Sequence, residues 1–343
     1  MKIRIFVGAG GVGKTSVTAA CALGTALAEK NKCLVLTIDP ALRLRTALNL
    51  HGGLASAEKI PLDAYAPKGE LWAALLDIRA SLDRMVRRDA PGDRAESVLK
   101  NPIYGLLASS VAGMQELMSV ERIHQAMEDG FEHLFVDTAP ARHAFEFLDK
   151  PEFFVELVTS PVVQLVGRSY KWWEGSLLQK AGRKAMQLYT SVENLIGIEL
   201  TRDVLTFFAA FQTMAESYAQ RSRKILGMFR DPEITGFTIV SSPLQAPKDA
   251  EYFCEELGRR RFFVQGLVVN RIWQPLPDER LPEMQELLRR SVEWYETVRA
   301  AQIRKWNALS TAFSGRIPVI RRVPELAPNL HGLEALQTMA QSL

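Results

Sequence analysis

The sequence predicts an α/β fold, a mainly parallel β-sheet flanked by helices, that carries an all-helical insertion subdomain. Three observations point to it. Short apolar β-type runs alternate with helical stretches along most of the chain, the pattern of a parallel sheet covered on both faces. The alternation stops between about residues 153 and 230, a stretch with one proline, Pro161, and no clear strand. A glycine-rich turn of defined spacing separates the first strand from the first helix.

In chain order, the expected strands are Ile3–Val7, Cys33–Ile38, Leu71–Leu76, His133–Val136, Thr235–Val240, Phe263–Val269 and Ile317–Val323. The first helix runs over Ser16–Ala28. The strand-free stretch shows apolar residues at helical spacing, with Leu177, Leu178, Ala181 and Ala185 followed by Leu188, Val192, Leu195 and Ile196. The expected organisation is therefore a sheet domain, 1–150 with 232–343, and a helical insertion subdomain, 151–231. Late in the chain, Ser291–Phe313 reads as a charged amphipathic helix that buries Val292, Tyr295, Val298, Trp306, Leu309 and Phe313. The proline-containing segments Pro275–Pro282 and Pro324–Pro328 read as loops.

Composition excludes several classes. The 343 residues are 47% hydrophobic, which excludes wholesale disorder. With 42 Lys+Arg against 39 Asp+Glu, the net charge of +3 gives no strong hold on nucleic acid. Glycines from Gly8 cut the N-terminal apolar run too short for a signal peptide, and no run approaches the roughly 20 residues that cross a bilayer. Cys21, Cys33 and Cys254 form no CxxC pair. A soluble, reduced, cytoplasmic protein is expected.

Gly8-Ala9-Gly10-Gly11-Val12-Gly13-Lys14-Thr15 fits the phosphate-loop pattern G-x-x-x-x-G-K-[ST] in full, between strand and helix as that loop requires. Its glycines let the N–H groups of Gly10, Gly11, Val12 and Gly13 converge on phosphate oxygens, and the helix N-terminus adds a favourable dipole. Lys14 is placed to reach the β- and γ-phosphates of a nucleotide and Thr15 to bind Mg²⁺. Ser16 is a candidate donor to the α-phosphate. The sheet is thus expected to be of the P-loop NTPase type.

Such a site needs a carboxylate at the end of a neighbouring strand. Leu134-Phe135-Val136-Asp137 supplies one that holds Mg²⁺ through water, and Thr37-Ile38-Asp39 ends a second strand in another. The longer strings Asp39-Pro40-Ala41 and Asp137-Thr138-Ala139-Pro140-Ala141-Arg142-His143 resemble the two switches of the ArsA family of ATPases, which includes the targeting factor for tail-anchored membrane proteins. Ala112-Gly113-Met114-Gln115-Glu116-Leu117 is similar to that family's P-G-x-x-E segment, and Val268-Val269-Asn270-Arg271 to its adenine-contacting segment. Pro324, ahead of Gly332-Leu333, resembles the loop covering the base. The resemblance runs from residue 3 to about 336. It implies that Asp39 orients the attacking water, that Asn270 reads adenine, and that His143 serves a switch. It also implies a dimer, homotypic or with a paralogous ATPase, whose helical subdomains form an apolar groove for a hydrophobic helix or membrane-protein partner. Phe153, Phe154, Trp172, Trp173, Phe207, Phe208 and Phe211 are candidates for that groove, with a helical core as the plainer reading.

The sequence departs from the family in three places. Ala9 stands where many members carry a signature Lys that reaches the facing subunit's nucleotide, so turnover is expected to be slow unless a partner, Arg43 or Arg45 supplies the charge. No Cys lies in the stretch Asp278–Arg299, which excludes a subunit-bridging zinc clamp. Cys21, Cys33 and Cys254 fall on separate elements and do not suit arsenite, the first two reading as small core residues. Two alternatives stay open: an ATP-gated assembly module with negligible hydrolysis, and a partitioning ATPase of the MinD/ParA type.

Overall fold

β1 (Lys2–Val7) runs near the centre of an eight-stranded sheet, ordered β3-β4-β2-β5-β1-β6-β7-β8. The computed structural model describes residues 1–39, 43–48, 56–90, 94–101, 104–105, 114–140, 145–151, 198–276, 286–326 and 332–343. The other strands are β2 (Lys32–Thr37), β3 (Glu58–Lys59), β4 (Glu70–Leu75), β5 (His133–Asp137), β6 (Thr235–Ser241), β7 (Val264–Ile272) and β8 (Val319–Pro324). Every pairing is parallel except β3 with β4.

The inner strands follow from composition. All seven residues of β6 are buried, and so are Ile3, Ile5, Phe6 and Val7 of β1, as expected for strands covered on both faces. β8 is an edge strand, largely exposed, with Arg321 and Arg322 on it. Charged residues there oppose edge-to-edge pairing. Pro324 is the last residue of this strand rather than part of a loop, a position an edge tolerates because the next residue, Glu325, supplies the N–H to Ile272 O at 2.9 Å and the proline nitrogen faces the open side. The seven strands expected from sequence are present with ends shifted by at most three residues, the largest shift being the end of β7 at Ile272 in place of Val269. β3, two exposed residues at the far edge, carries no apolar signal.

Helix α1 (Lys14–Ala28) buries nine residues, Val17, Ala20 and Leu23 among them, and starts two residues earlier than its pattern suggested. A late helix, Gly332–Ala340, packs on it so closely that a Cβ on Gly24 would lie 3.3 Å from that of Ala340. The helix Glu286–Phe313 buries Leu309 and Phe313 and half-buries Val292, Tyr295, Val298 and Trp306, the face predicted from its spacing. Among the described residues, no helix is long and apolar enough to cross a membrane.

The chain divides into two compact units. The first comprises Met1–Leu75, Ala126–Phe145 and Met228–Leu343, and holds the sheet. The second comprises Leu76–Gln125 and Glu146–Gly227. Its helices therefore come from two stretches of sequence, one of them ahead of residue 151. Asp77 caps its helix Ile78–Asp89 by accepting from Ala80 N at 2.8 Å. Leu82, Val86, Tyr104, Met118, Met214 and Tyr218 form its core. Of the expected insertion, 152–197 lies outside the described residues, and 198–230 is one helix, Ile198–Arg230. Phe153, Phe154, Trp172 and Trp173, with the side chains of Phe207, Phe208 and Phe211, lie outside the described residues.

Candidate active site

The C-terminal ends of parallel strands share one edge of a sheet, and there the chain collects its polar residues. β1 leads into the loop Gly8–Gly13, and the first bond of α1 is Val17 N to Gly13 O at 3.0 Å. The backbone N–H groups of the first turn, those of Thr15 and Ser16 among them, point out of the helix end. No side chain caps this terminus and no acidic residue lies in its first turn. Its partial positive charge is therefore available to an anion.

Two glycines are demanded by geometry. A Cβ at Gly8 would lie 2.1 Å from the Val240 carbonyl oxygen, so only glycine passes the end of β6. Gly13 has φ +89°, and a Cβ there would lie 2.3 Å from Asn270 Nδ2.

The outward carbonyls of the loop are held by side chains. Lys14, 6% exposed, donates from Nζ to Gly8 O at 3.0 Å and to Ala9 O at 2.9 Å. Asn270, on β7, donates from Nδ2 to Val12 O at 2.9 Å. Arg271 donates from Nη1 to Gly11 O at 3.2 Å. Asn270 Oδ1 is buried without a partner. The Val12 carbonyl fixes this amide orientation, because the flipped amide would set two oxygens against each other.

Asp137 is the electrostatic centre. In register it lies opposite Phe6 on one side and Thr37 on the other. Its Oδ2 accepts from Thr15 Oγ1 at 2.7 Å and from Thr37 Oγ1 at 3.1 Å. Its Oδ1 is buried with no partner. Burial pushes its pKa up to about 6, against the lowering effects of the two threonine bonds and of the Lys14 charge, and nearby Asp39 adds to the rise. A dry carboxylate with one unpartnered oxygen, bonded to a hydroxyl at a helix N-terminus, fits the needs of a hydrated divalent cation.

The motif residues thus come together. Asp39, half-buried, follows the end of β2, and its N–H donates to Thr37 Oγ1 at 3.2 Å. Thr138 continues from Asp137 and donates to Phe6 O at 2.6 Å, which fixes the start of the second switch string. Pro324 pairs with Ile272, two residues beyond Asn270. Pro40, Ala41 and Ala141–His143 lie outside the described residues, as do Ala112, Gly113 and the side chain of Arg43. Arg45 is half-buried. Ala9 is partly buried and packs on the core. Cys33 is buried in that core and Cys21 packs against it, as expected, and burial pushes both thiols up to about 12. Thr37 and Arg271 belong to the constellation although the motif reading gave neither a role. A threonine ending an otherwise apolar strand was the available signal for the first. The second had none, because its contact depends on a left-handed backbone.

The sequence model of the anion-transporting ATPase family (ArsA) matches residues 1–343. The chain is 29% identical over 294 residues to the ATPase get3 of Pyrenophora tritici-repentis, covering 80% of this chain and 75% of that one. It is 25% identical over 339 residues to the ATPase GET3 of Rhodotorula glutinis, covering 97% and 85%. It is 26% identical over 278 residues to the ATPase ASNA1 homolog of Entamoeba dispar, covering 78% and 76%. A phosphate loop, the carboxylate bonded to it and a match over the whole length agree: this chain belongs to the ArsA-type, anion-transporting family of ATPases.

Proposed function

We propose that this ATPase is a dimeric, Mg²⁺-dependent switch, in which nucleotide state moves a helical subdomain (residues 151–231) that binds a partner or cargo. The N–H groups of Gly10–Gly13, with Thr15 and Ser16, take the phosphates of ATP, and Lys14 exchanges its loop carbonyls for β- and γ-oxygens. Thr15 would hold Mg²⁺, with Asp137 holding it through water, and the ion would supply charge neutralisation for the leaving diphosphate. Asp39 orients the water that attacks the γ-phosphate. Asn270 Oδ1 accepts from the adenine amino group, and Pro324 borders the base.

One observation carries this reading: the buried Asp137 with its Oδ1 unpartnered, bonded through Oδ2 to Thr15. A divalent cation near Oδ1 would offset the burial that disfavours this charge beyond what the two threonine hydroxyls and Lys14 already do, and the metal that accompanies ATP is the cofactor such a loop calls for. The same reading places the protein in the cytoplasm, as a homodimer or as a heterodimer with a paralogous ATPase. Its helices would receive a hydrophobic helix or a membrane-protein segment. Neither nucleic acid nor a zinc clamp enters it.

The test is single-turnover hydrolysis with parallel calorimetry. Lys14→Ala is expected to abolish nucleotide binding or turnover. Asp39→Asn is expected to bind ATP as the wild type does and to hydrolyse it at least about a hundredfold more slowly. Wild-type turnover by Asp39→Asn would remove the water-orienting role. Native mass with and without ATP tests the dimer.

A further inference from the structure

Successive side chains of a strand point to opposite faces of the sheet, so neighbours do not ordinarily reach the same target. Asn270 and Arg271 do. They donate to the carbonyls of Val12 and Gly11, two consecutive residues of the phosphate loop. The cause lies in the backbone. Arg271 stands at φ 64°, in the left-handed region, and the β7–β8 register shifts between Val269 and Ile272. This breaks the alternation and turns the arginine to the side its neighbour already occupies.

A left-handed arginine within a strand is strained, and strain persists where something else depends on it. Packing does not require this conformation, for Arg271 is exposed. Its hydrogen bond lies in solvent, where it adds little to folding. What the conformation delivers is a guanidinium at the mouth of the phosphate loop.

We propose that Arg271 is a positioning residue for the phosphate loop, and that the affinity for nucleoside di- and triphosphates depends on it. In a trans peptide, the C=O of one residue and the N–H of the next point in opposite directions, and among the described residues there are no cis peptide bonds. Pinning Gly11 O therefore directs the N–H of Val12, and pinning Val12 O directs the N–H of Gly13, both away from β7. Arg271 and Asn270 together hold two adjacent peptide planes of the loop in the donor orientation a polyphosphate requires, before nucleotide arrives. The guanidinium charge also raises the potential at the loop mouth. Arg271 touches no reacting atom, so its effect falls on binding. The inference rests on the loop being the nucleotide site.

The experiment uses the full-length chain with Arg271→Gly and Arg271→Lys, measuring ATP and ADP dissociation constants, kcat, KM and the Tm without nucleotide. Glycine accepts φ 64° without strain, so a structural role and a positioning role give opposite results. Arg271→Gly is expected to weaken ATP and ADP binding by roughly three- to tenfold, from the loss of one exposed hydrogen bond that holds the loop and of the guanidinium charge at its mouth. Its kcat at saturating ATP should stay within about twofold, with a Tm equal to or above the wild type's. Arg271→Lys keeps the charge and one donor, and should recover part of the affinity. Wild-type affinity in Arg271→Gly overturns the proposal, and so does an affinity loss accompanied by a fall in Tm. Failure of the wild-type chain to bind ATP in the same assay would instead remove the nucleotide-site reading beneath it.

Discussion

Thr15 Oγ1 donates to Asp137 Oδ2 at 2.7 Å, joining the first turn of α1 to the end of β5 across 122 residues of sequence. The bond uses one oxygen of a buried carboxylate and leaves the other unpartnered. Ionising this group in the folded protein is therefore unfavourable until a cation arrives, and that has consequences for pH.

Burial raises the Asp137 pKa from 3.8 to about 6. Between those values the folded state keeps a proton that the unfolded state has lost. The contribution of Asp137 to the stability of nucleotide-free protein thus falls as pH rises from 3.8 to about 6. It is constant above that window. The total change is roughly 3 kcal/mol. Asp137→Asn removes this dependence and should be more stable than the wild type at neutral pH. Urea unfolding of both proteins across the window checks it, and parallel curves would sink the idea.

The same carboxylate must be ionised to serve a cation. Below about pH 6, binding of Mg²⁺ with nucleotide should therefore release a proton, and Mg²⁺ affinity should fall as pH is lowered. Calorimetry in buffers of different ionisation heat reads the proton directly. Asp137→Asn should release none.

Gly13 has φ +89°, and an added Cβ would meet Asn270 Nδ2 at 2.3 Å. Asn270 would have to give up its bond to Val12 O to escape the methyl. Gly13→Ala is expected to cost about 2 kcal/mol of stability from backbone strain together with the lost hydrogen bond. It should also weaken nucleotide binding. A chemical denaturation midpoint unchanged from the wild type would contradict this.

In the second unit, Glu121 is fully buried and accepts from Arg88 Nη2 at 2.8 Å and Arg221 Nε at 3.1 Å. Arg221 also pairs with Asp89 at 2.5 Å. Removing Glu121 leaves two cations sharing Asp89 in a poorly solvated place. Glu121→Ala should cost about 3 kcal/mol, the low end for a broken buried pair because Arg88 keeps some contact with water. Equilibrium unfolding measures it, and a loss under about 1 kcal/mol would show that the network is solvated.

Much of the sheet and the loop was legible because their signals are local. The string that runs on from Asp137 to His143, and the eight-residue pattern Gly8–Thr15 that leads into α1, carry their meaning without tertiary context. What escaped was non-local or too short. β3 offers only Glu58 and Lys59, two exposed residues with no apolar period. The ion network of Arg88, Asp89, Glu121 and Arg221 joins helices up to 132 residues apart, which no periodicity reports. Asn270 entered the site by family likeness, yet its hold on Val12 spans 258 residues. Arg271 was invisible because a left-handed turn within a strand follows from the register shift, not from its own side chain.

Ala9 poses the remaining question about turnover. Family likeness places a cation at this position, whereas here a methyl group packs on the core of the first unit. Lys14 does not replace it, since its ammonium already serves the carbonyls of Gly8 and Ala9 and, in the function proposed above, takes the phosphates in its own right. The Ala9 backbone takes part through its carbonyl, which a longer side chain leaves untouched. The residue is also only partly buried, so a lysine stem has a way out to solvent. Ala9→Lys is therefore expected to fold normally and to raise kcat by about tenfold or more, with KM little altered. The gain should stay below the roughly 10³–10⁵ that an optimally placed cation supplies. If the new lysine acts across a dimer, the gain should fade as the protein is diluted below its dimer dissociation constant. An unchanged kcat at every concentration would mean that the developing charge is already met by another cation, from this chain or from a partner.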